Sequence, residues 1–299
     1  MGAEATIDTA ARARVSVRRH SLTHRIMVAV RVFLIYVLLM IIAAGTSIPL
    51  LWMVASSFKT TGDIFVFPPR WIPDPVVWTN FGDVMASMPF GIMTFNTFKI
   101  AILNVVGATL SCALAAYCFA RLRFPGRDAL FVVLLASMMV PSQVTLIPVF
   151  LVMRQLGWID THQPLWVPGL TGGAFGTFLL RQFFLTLPSE LEDAARIDGA
   201  STFGILWRIF IPLSRPALAT LAIFVFLFRW NDLLGPVIYL TTPEKMTLPI
   251  GLAFFRGQYQ TEWALMMAGA LMSLIPVLVL YAAFQRYFVQ GVVLSGIKG

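Results

Sequence analysis

Charged residues are scarce in this chain of 299 residues, and their scarcity identifies the solvent in which the chain folds. Only 12% of the residues are Asp, Glu, Lys or Arg, whereas soluble domains carry about a quarter. Hydrophobic residues make up 58%, and the mean hydropathy is +0.81. This composition excludes an ordinary soluble domain and predicts a membrane protein.

Metal ligands and nucleophiles are also rare. The three histidines, His20, His24 and His162, lack the spacing of a metal site. Cys112 and Cys118 lie in one predicted span and point in different directions on a helix, so we expect buried thiols and no disulfide between them. The chain has no G-x-x-x-x-G-K-[ST] phosphate loop and no suggested Ser/His/Asp arrangement. We therefore predict no catalytic residue, no metal and no cofactor in this chain.

Long apolar runs dominate the remaining sequence. A crossing of the bilayer takes roughly 20 residues, and six runs reach that length, at 29–55, 97–120, 129–154, 169–186, 214–235 and 264–287. Residues 1–28 are a basic N-terminal arm, and residues 29–299 form one transmembrane domain. We predict an all-α, polytopic membrane protein of about six transmembrane helices.

Positive charges predict the orientation of these spans. Most of the 22 lysines and arginines lie in the N-terminal arm, after the second span, between the fourth and fifth spans, or in the C-terminal tail. Lys and Arg accumulate on the cytoplasmic side of membrane proteins, so both termini are predicted to be cytoplasmic. The net charge of +8 follows from these flanks and does not indicate nucleic-acid binding.

The most acidic stretch of the chain lies between the fourth and fifth spans, from Pro188 to Pro212. Ser189 and Glu192 have the spacing of a capping box at a helix start. Gly199 offers the left-handed conformation that ends a helix. We expect a second short helix after it, ended by Pro212, with an apolar stripe made of Phe203, Leu206, Ile209 and Phe210. The pattern predicts an acidic helical hairpin at the cytoplasmic face of the membrane.

Two of the predicted spans contain unusual polar or proline residues. The third contains Pro141 and Pro148, which either line a cavity or only kink a packing helix. The fifth ends in a polar cluster that must pair or face water. One interpretation is a solute pathway with four candidate residues, Gln143, Trp230, Asn231 and Asp232. The alternative is a simple span boundary in which Arg229 pairs with Asp232, and both interpretations stay open.

Most spans lack carboxylates in the middle, where an ion-coupled carrier usually keeps them. A transported solute would therefore take its energy from another subunit, and the acidic hairpin is a suitable place for that subunit to bind. Two other classes remain as alternatives, an ion-coupled secondary carrier subunit and a non-transporting membrane scaffold.

The hairpin resembles the EAA loop of ABC importer permeases, which reads E-A-A, three residues, Gly, nine residues and I-x-L-P. Here Asp193 stands at the Glu position and Ile211 at the Leu position, with the spacing intact. Other stretches resemble the carbohydrate-uptake branch of the family, in particular the maltose-system-like second permease. These are 116–127, 156–161, 230–232 and the terminal Gly-Ile-Lys-Gly.

The resemblance implies a type I ABC importer permease fold in the bacterial inner membrane. It implies four kinds of partner: a homologous second permease, two ATPase subunits that bind ATP and Mg, an extracytoplasmic binding protein and a sugar-type solute. The chain would be a transport subunit and not an enzyme. Residues 188–212 would form the coupling hairpin, with six docking residues, Glu192, Asp193, Ala194, Ala195, Asp198 and Gly199. The sequence does not identify the solute.

Overall fold

The computed structural model describes residues 22–257 and 261–296. Within these ranges it has fourteen α-helices and no named strand, only an isolated bridge between Arg256 and Thr261. The helices are α1 (Leu22–Ser57), α2 (Thr79–Ser87), α3 (Phe90–Arg121), α4 (Arg127–Ser137), α5 (Ser142–Gln155), α6 (Gln163–Trp166), α7 (Ala174–Thr186), α8 (Glu190–Ile197), α9 (Thr202–Ile205), α10 (Ile211–Leu213), α11 (Arg215–Trp230), α12 (Leu234–Tyr239), α13 (Leu248–Phe254) and α14 (Trp263–Gly296). The all-α prediction is confirmed. Residues 1–21 of the predicted basic arm lie outside the described ranges.

The chain divides into two compact units. The first ends at Trp52 and the second begins at Met53. In the first, the described residues belong to α1, of which Ile26–Ser57 is long and apolar enough to cross a membrane. This helix matches the first predicted span.

The second unit contains two more straight helices of spanning length and two broken ones. The straight helices are α3 and the Trp263–Gln285 part of α14. The broken ones are α4 with α5, bent by 96°, and Thr202–Leu213 with α11, bent by 80°. The described chain thus has three to five candidate spans.

The fourth predicted span, 169–186, is shorter than expected. Pro168–Thr171 forms a 3-10 turn, and α7 has only 13 residues. Gly172 adopts a φ of 74° and Gly173 is extended, so the helix cannot begin before Ala174. The glycines that favour close packing here also interrupt the helix.

Two prolines give opposite results in the third predicted span. Pro141 is extended and lacks an N–H, and the 96° bend occurs between Ser137 and Ser142. Pro148 remains inside α5. The bend expected from a proline therefore occurs at Pro141 and not at Pro148.

The expected helix end at Pro212 is wrong. After α9, the chain forms a π-helical turn at Leu206–Phe210 and continues through α10. Pro212 stands in the first turn of α10, where a missing N–H costs little. The chain bends instead at Ser214, between α10 and α11.

Helix α3 is the centre of the second unit and packs against α7 and α11. Small residues permit this packing; a Cβ added to Gly176 of α7 would lie 2.7 Å from Cys112 Sγ of α3 and 2.9 Å from Leu221 Cδ1 of α11. Cys112 and Cys118 are free thiols, as expected, although only Cys112 is fully buried. Its Sγ accepts a hydrogen bond from Gly173 N–H at 3.3 Å.

Polar side chains of α3 also bind irregular backbone. Asn96 Nδ2 donates to the carbonyls of Glu244 and Met246 at 2.9 and 3.0 Å. Thr97 Oγ1 accepts from Leu248 N–H at 2.8 Å. Non-helical backbone in a membrane protein requires such partners, so α3 stabilises the loop that precedes α13.

Candidate functional site

The acidic hairpin has the turn that the sequence predicts. Gly199 adopts a φ of 78°. Its N–H donates to Arg196 O at 3.0 Å, and Ala200 N–H donates to Ala195 O at 2.9 Å. These two bonds are the Schellman ending of a helix. Ser201 then caps α9, its Oγ accepting from Gly204 N–H at 3.1 Å.

The expected capping box is wrong. Ser189 makes no side-chain cap bond, and the Glu192 side chain turns inward, where only 6% of the residue is exposed. Arg196 Nη2 donates to Glu192 Oε1 at 2.7 Å, and Tyr117 Oη donates to the same oxygen at 3.4 Å. The hydrogen bond and charge of Glu192 raise the pKa of Arg196. The local pattern could not show that Glu192 pairs with Arg196 and with Tyr117 of α3 instead of capping the α8 backbone.

Arg121, at the end of α3, contacts three other segments of the chain: the end of α7, helix α8 and the π-helical turn. Its Nη2 donates to the carbonyls of Phe184, at 2.7 Å, and Leu187. Its Nε lies 4.0 Å from Glu192 Oε2, and its Cζ lies 5.1 Å from the centroid of the Phe210 ring. Sequence reasoning counted Arg121 only as a cytoplasmic charge and missed this role.

The six predicted docking residues divide into two sets. Glu192 and Ala195 are buried against the core, where they cannot meet a partner directly. The other four, Asp193, Ala194, Asp198 and Gly199, are exposed. We call these four residues, together with Ile197, the docking face.

Large apolar side chains are exposed beside those charges. Ile197 is 86% exposed and Phe203 is 61% exposed. Phe203 packs edge-on against Trp207, with 5.8 Å between ring centroids. The predicted stripe is correct for Leu206 and Phe210, which are buried, but not for Phe203. The π-helical turn changes the helical period, so the sequence pattern assigned Phe203 to the wrong face.

Polar side chains at the end of α11 have hydrogen-bond partners within the protein. Trp230 is buried, stacks on Phe226 and donates from Nε1 to Ser273 O at 3.2 Å. Asn231 is exposed and donates from Nδ2 to Leu227 O at 2.8 Å. Local contacts therefore explain both of these candidate pathway residues without a solute.

Asp232 and Gln143 complete the predicted pathway set. Asp232 Oδ2 pairs with Arg229 Nη1 at 3.3 Å, and Oδ1 accepts from Gly235 N–H at 3.1 Å, which caps the start of α12. The pairing required by the boundary alternative is thus present. Gln143 is exposed in the first turn of α5. Among the described residues, no hydrogen bond joins it to the end of α11.

A groove of about 570 Å³ lies beside this cluster, between α3, the 168–173 turn, α7 and α11. Its walls include the rings of Phe175, Phe224 and Phe228, and its polar lining includes Asn104 and Arg229. We call this cavity the α3–α11 groove. Its aromatic walls and sparse polar groups are typical of small-molecule sites.

Asn104 holds the polar end of this groove together. It is 1% exposed, and its Oδ1 accepts from Arg229 Nε at 3.1 Å. Its Nδ2 donates to Ile100 O at 2.9 Å and to Leu165 O at 3.0 Å. A Cβ on Gly169 would lie 2.0 Å from its Oδ1. Sequence reasoning missed Asn104 because a single amide in an apolar run carries no pattern.

A second polar cluster ties the loop after α5 to the loop after α12. Asp160, at a φ of 55°, accepts hydrogen bonds from the N–H groups of Thr241 and Thr242 at 3.0 and 2.9 Å. Its Oδ2 accepts from Thr242 Oγ1 at 2.6 Å and from Lys245 Nζ at 2.8 Å. These bonds, that of Lys245 first, hold the pKa of Asp160 well below its usual range. His162 Nε2 lies 2.7 Å from Lys245 O, and burial lowers its pKa.

Replacing Asp160 by asparagine is expected to loosen this loop pair. A lowered pKa in the folded state stabilises the protein above the unfolded-state pKa of about 3.9. This stabilisation is therefore fully present at pH 7. It is lost as the pH falls from the unfolded-state pKa through the folded-state pKa of Asp160. We expect severalfold faster trypsin cleavage after Lys245 in Asp160→Asn at neutral pH, measured by mass spectrometry.

Asp83→Asn is the matched control, because Asp83 is an exposed aspartate in α2 and its carboxylate has no ion pair in the described part of the chain. It should leave the cleavage rate unchanged. Equal cleavage in Asp160→Asn and in the unaltered protein would contradict the assigned role.

The chain is similar to several transport proteins. Residues 107–293 match the family described as "Binding-protein-dependent transport system inner membrane component". The chain is 33% identical over 272 residues to the probable ABC transporter permease protein YurM of Bacillus subtilis, covering 89% of this chain and 88% of the relative. It is 34% identical over 254 residues to the arabinooligosaccharides transport system permease protein AraQ of Halalkalibacterium halodurans, covering 84% and 91%.

A solved structure has the same architecture. A bacterial ABC transporter involved in the import of the acidic polysaccharide alginate has a chain that is 27% identical, with a TM-score of 0.74. The match covers 90% of this chain and 99% of the other.

Proposed function

Since the chain belongs to the family of binding-protein-dependent transport system inner membrane components, we propose that it carries a sugar or related solute as the permease of an ABC importer. The permease is a multi-pass inner membrane protein. Relatives named for transport of arabinooligosaccharides and of sn-glycerol-3-phosphate support this solute class.

The importer would contain further subunits. We expect a homologous second permease, a solute-binding protein outside the membrane and two ATPase subunits that hold ATP and Mg. The absence of a phosphate loop from this sequence supports a separate ATPase. The cytoplasmic position of both termini and of the hairpin stays a prediction from the charge distribution.

The docking face is the observation that carries the coupling part of the proposal. Asp193 and Asp198 offer carboxylates to basic or amide groups of an ATPase cleft, and Ala194 and Gly199 permit close approach. Burial of the exposed Ile197 side chain against a partner would favour the complex. A partner with an apolar floor and a basic rim fits this face.

The α3–α11 groove is the proposed solute contact. Stacked rings and planar hydrogen-bonding groups suit sugars, and the groove combines Phe224 and Phe228 with Arg229 and Asn104. The four residues proposed from the sequence, Gln143, Trp230, Asn231 and Asp232, remain candidates. The geometry favours Arg229 over them, because Arg229 lines the groove and is held there by Asn104, whose own Oδ1 and Nδ2 are already hydrogen-bonded.

Uptake in proteoliposomes tests the function. The full importer would be reconstituted and offered labelled arabinooligosaccharides, maltooligosaccharides and sn-glycerol 3-phosphate in turn. Uptake should require ATP and the binding protein, and it should continue after ionophores collapse the ion gradients. Uptake that follows the ion gradient without ATP would establish the secondary carrier, and an importer that moves none of the solutes would contradict the proposed solute class.

A further inference from the structure

We infer that Arg121 and Glu192 form an internal latch that transmits movement of the coupling hairpin to helices α3 and α7. Both would be positioning residues, since neither lies on the docking face or in the α3–α11 groove. The inference rests on the proposed coupling to an ATPase, and it assigns to Glu192 a role different from docking.

The first argument is the direction in which Glu192 points. Neighbouring carboxylates on α8 face opposite ways, with Asp193 exposed and Glu192 buried. Glu192 Oε1, which pairs with Arg196 of its own helix at 2.7 Å, also accepts from Tyr117 Oη at 3.4 Å, and Glu192 Oε2 lies 4.0 Å from Arg121 Nε across the hairpin interface. Removal of one partner from a buried ion pair is costly, so the hairpin and the end of α3 are held together by charge as well as by apolar packing.

The second argument is the number of elements that one guanidinium holds. Arg121 Nη2 donates to the carbonyls of Phe184 and Leu187 at the end of α7, where Phe184 O also accepts from Leu187 N–H at 3.3 Å. Its Cζ also lies over the ring of Phe210 in the π-helical turn. A displacement of Glu192 therefore acts on α3 and on α7 through the same side chain.

The third argument is an unmade hydrogen bond. Arg121 Nε is buried and, among the described residues, has no hydrogen-bond acceptor. The nearest carboxylate oxygen, Glu192 Oε2, lies 4.0 Å away, and a bond would form at about 2.9 Å. A shift of the hairpin by about 1 Å would make this bond. The latch would therefore become tighter when the hairpin moves towards α3.

The fourth argument is the path from the latch to the groove. Helix α3 runs without a proline from Phe90 to Arg121, and at 1.5 Å per residue Asn104 lies about 25 Å from Arg121 along its axis. Helix α7 contributes Phe175 and Gly176 to the same groove. Both helices that the latch holds at one end therefore form walls of the groove further along.

The latch predicts an uncoupled transporter when Glu192 becomes glutamine. The variant keeps the side-chain shape and the docking face, so the ATPase should still co-purify with the permease. The number of ATP molecules hydrolysed per solute transported should rise about fivefold, the lower end of typical coupling factors between sites. The measurement uses the reconstituted importer with the best-transported solute of the panel above.

Glu190→Gln is the matched control. Glu190 lies in the same helix and is exposed, so removal of its charge should leave the ratio unchanged. Arg121→Met should raise the ratio as Glu192→Gln does. A role in folding alone would lower hydrolysis and transport together and leave their ratio unchanged.

An unchanged ratio in Glu192→Gln would overturn the latch, whether or not the variant protein is less stable to heat. Loss of ATPase co-purification in Glu192→Gln would also overturn it, because the residue would then act in docking. The proposed function fails in a different way, namely if the unaltered permease binds no ATPase or if its uptake needs no ATP.

Discussion

We expect uptake to fall roughly tenfold or more when Asp193 is replaced by lysine. Asp193 lies exposed on the docking face, and we propose that its carboxylate meets basic or amide groups of the ATPase. A like-charge contact at an interface costs several kcal/mol, and each 1.4 kcal/mol is a factor of ten in affinity. Folding should be preserved, because exposed substitutions usually change stability by less than about 0.5 kcal/mol.

Asp193→Glu is the control for this result. It restores the glutamate of the family pattern and retains the charge, so uptake should stay near that of the unaltered protein. The measurements are ATP-driven uptake and co-purification of the ATPase. Normal uptake and normal co-purification in Asp193→Lys would refute the assignment of this face as the docking surface.

Replacing Arg229 by methionine is expected to reduce uptake about tenfold while the ATPase remains bound. The change removes the donor to Asn104 Oδ1 and the partner of Asp232. A buried acceptor left without its donor costs about 1–3 kcal/mol, so the wall of the groove should rearrange. Uptake and ATPase co-purification, measured on the same preparation, separate this effect from a loss of assembly.

The double variant Arg229→Met with Asp232→Asn distinguishes a solute contact from a span boundary. Asparagine keeps an oxygen for the cap on Gly235 but carries no charge, so the double variant leaves no unpaired ion. Removing both members of an ion pair is often neutral for stability. If Arg229 contacts the solute, uptake should stay low, and the donor lost from Asn104 Oδ1 would add to that loss. Restored uptake would establish the boundary alternative.

The hairpin shows which structural features local sequence patterns can predict and which they cannot. The turn at Gly199 was predictable, because a left-handed residue at a helix end is a local requirement. The orientation of Glu192 was not, since it depends on Tyr117 and Arg121, which lie more than seventy positions earlier in the chain. Periodicity also failed at Phe203, because a π-helical turn follows it.

Hydropathy located the apolar segments but not their shapes. The first, second and sixth spans are continuous helices near the expected ranges. The third breaks before Pro141, and the fourth is shortened by Gly172. Whether glycine or proline breaks a helix depends on its tertiary partners; for Gly172, a Cβ would lie 2.8 Å from Ser111 Oγ.

Several polar side chains of α3 have hydrogen-bond partners that are synthesised only after the helix itself. Its amides and hydroxyls pair with backbone that is made much later: Asn104 with Leu165, and Thr97 with Leu248. Asn96 likewise donates to carbonyl groups of the loop that precedes α13. A nascent chain that stops before Glu244 leaves Asn96 and Thr97 without these native partners. A truncated chain would therefore leave polar side chains of α3 unpaired that the longer chain pairs with backbone of the loop before α13.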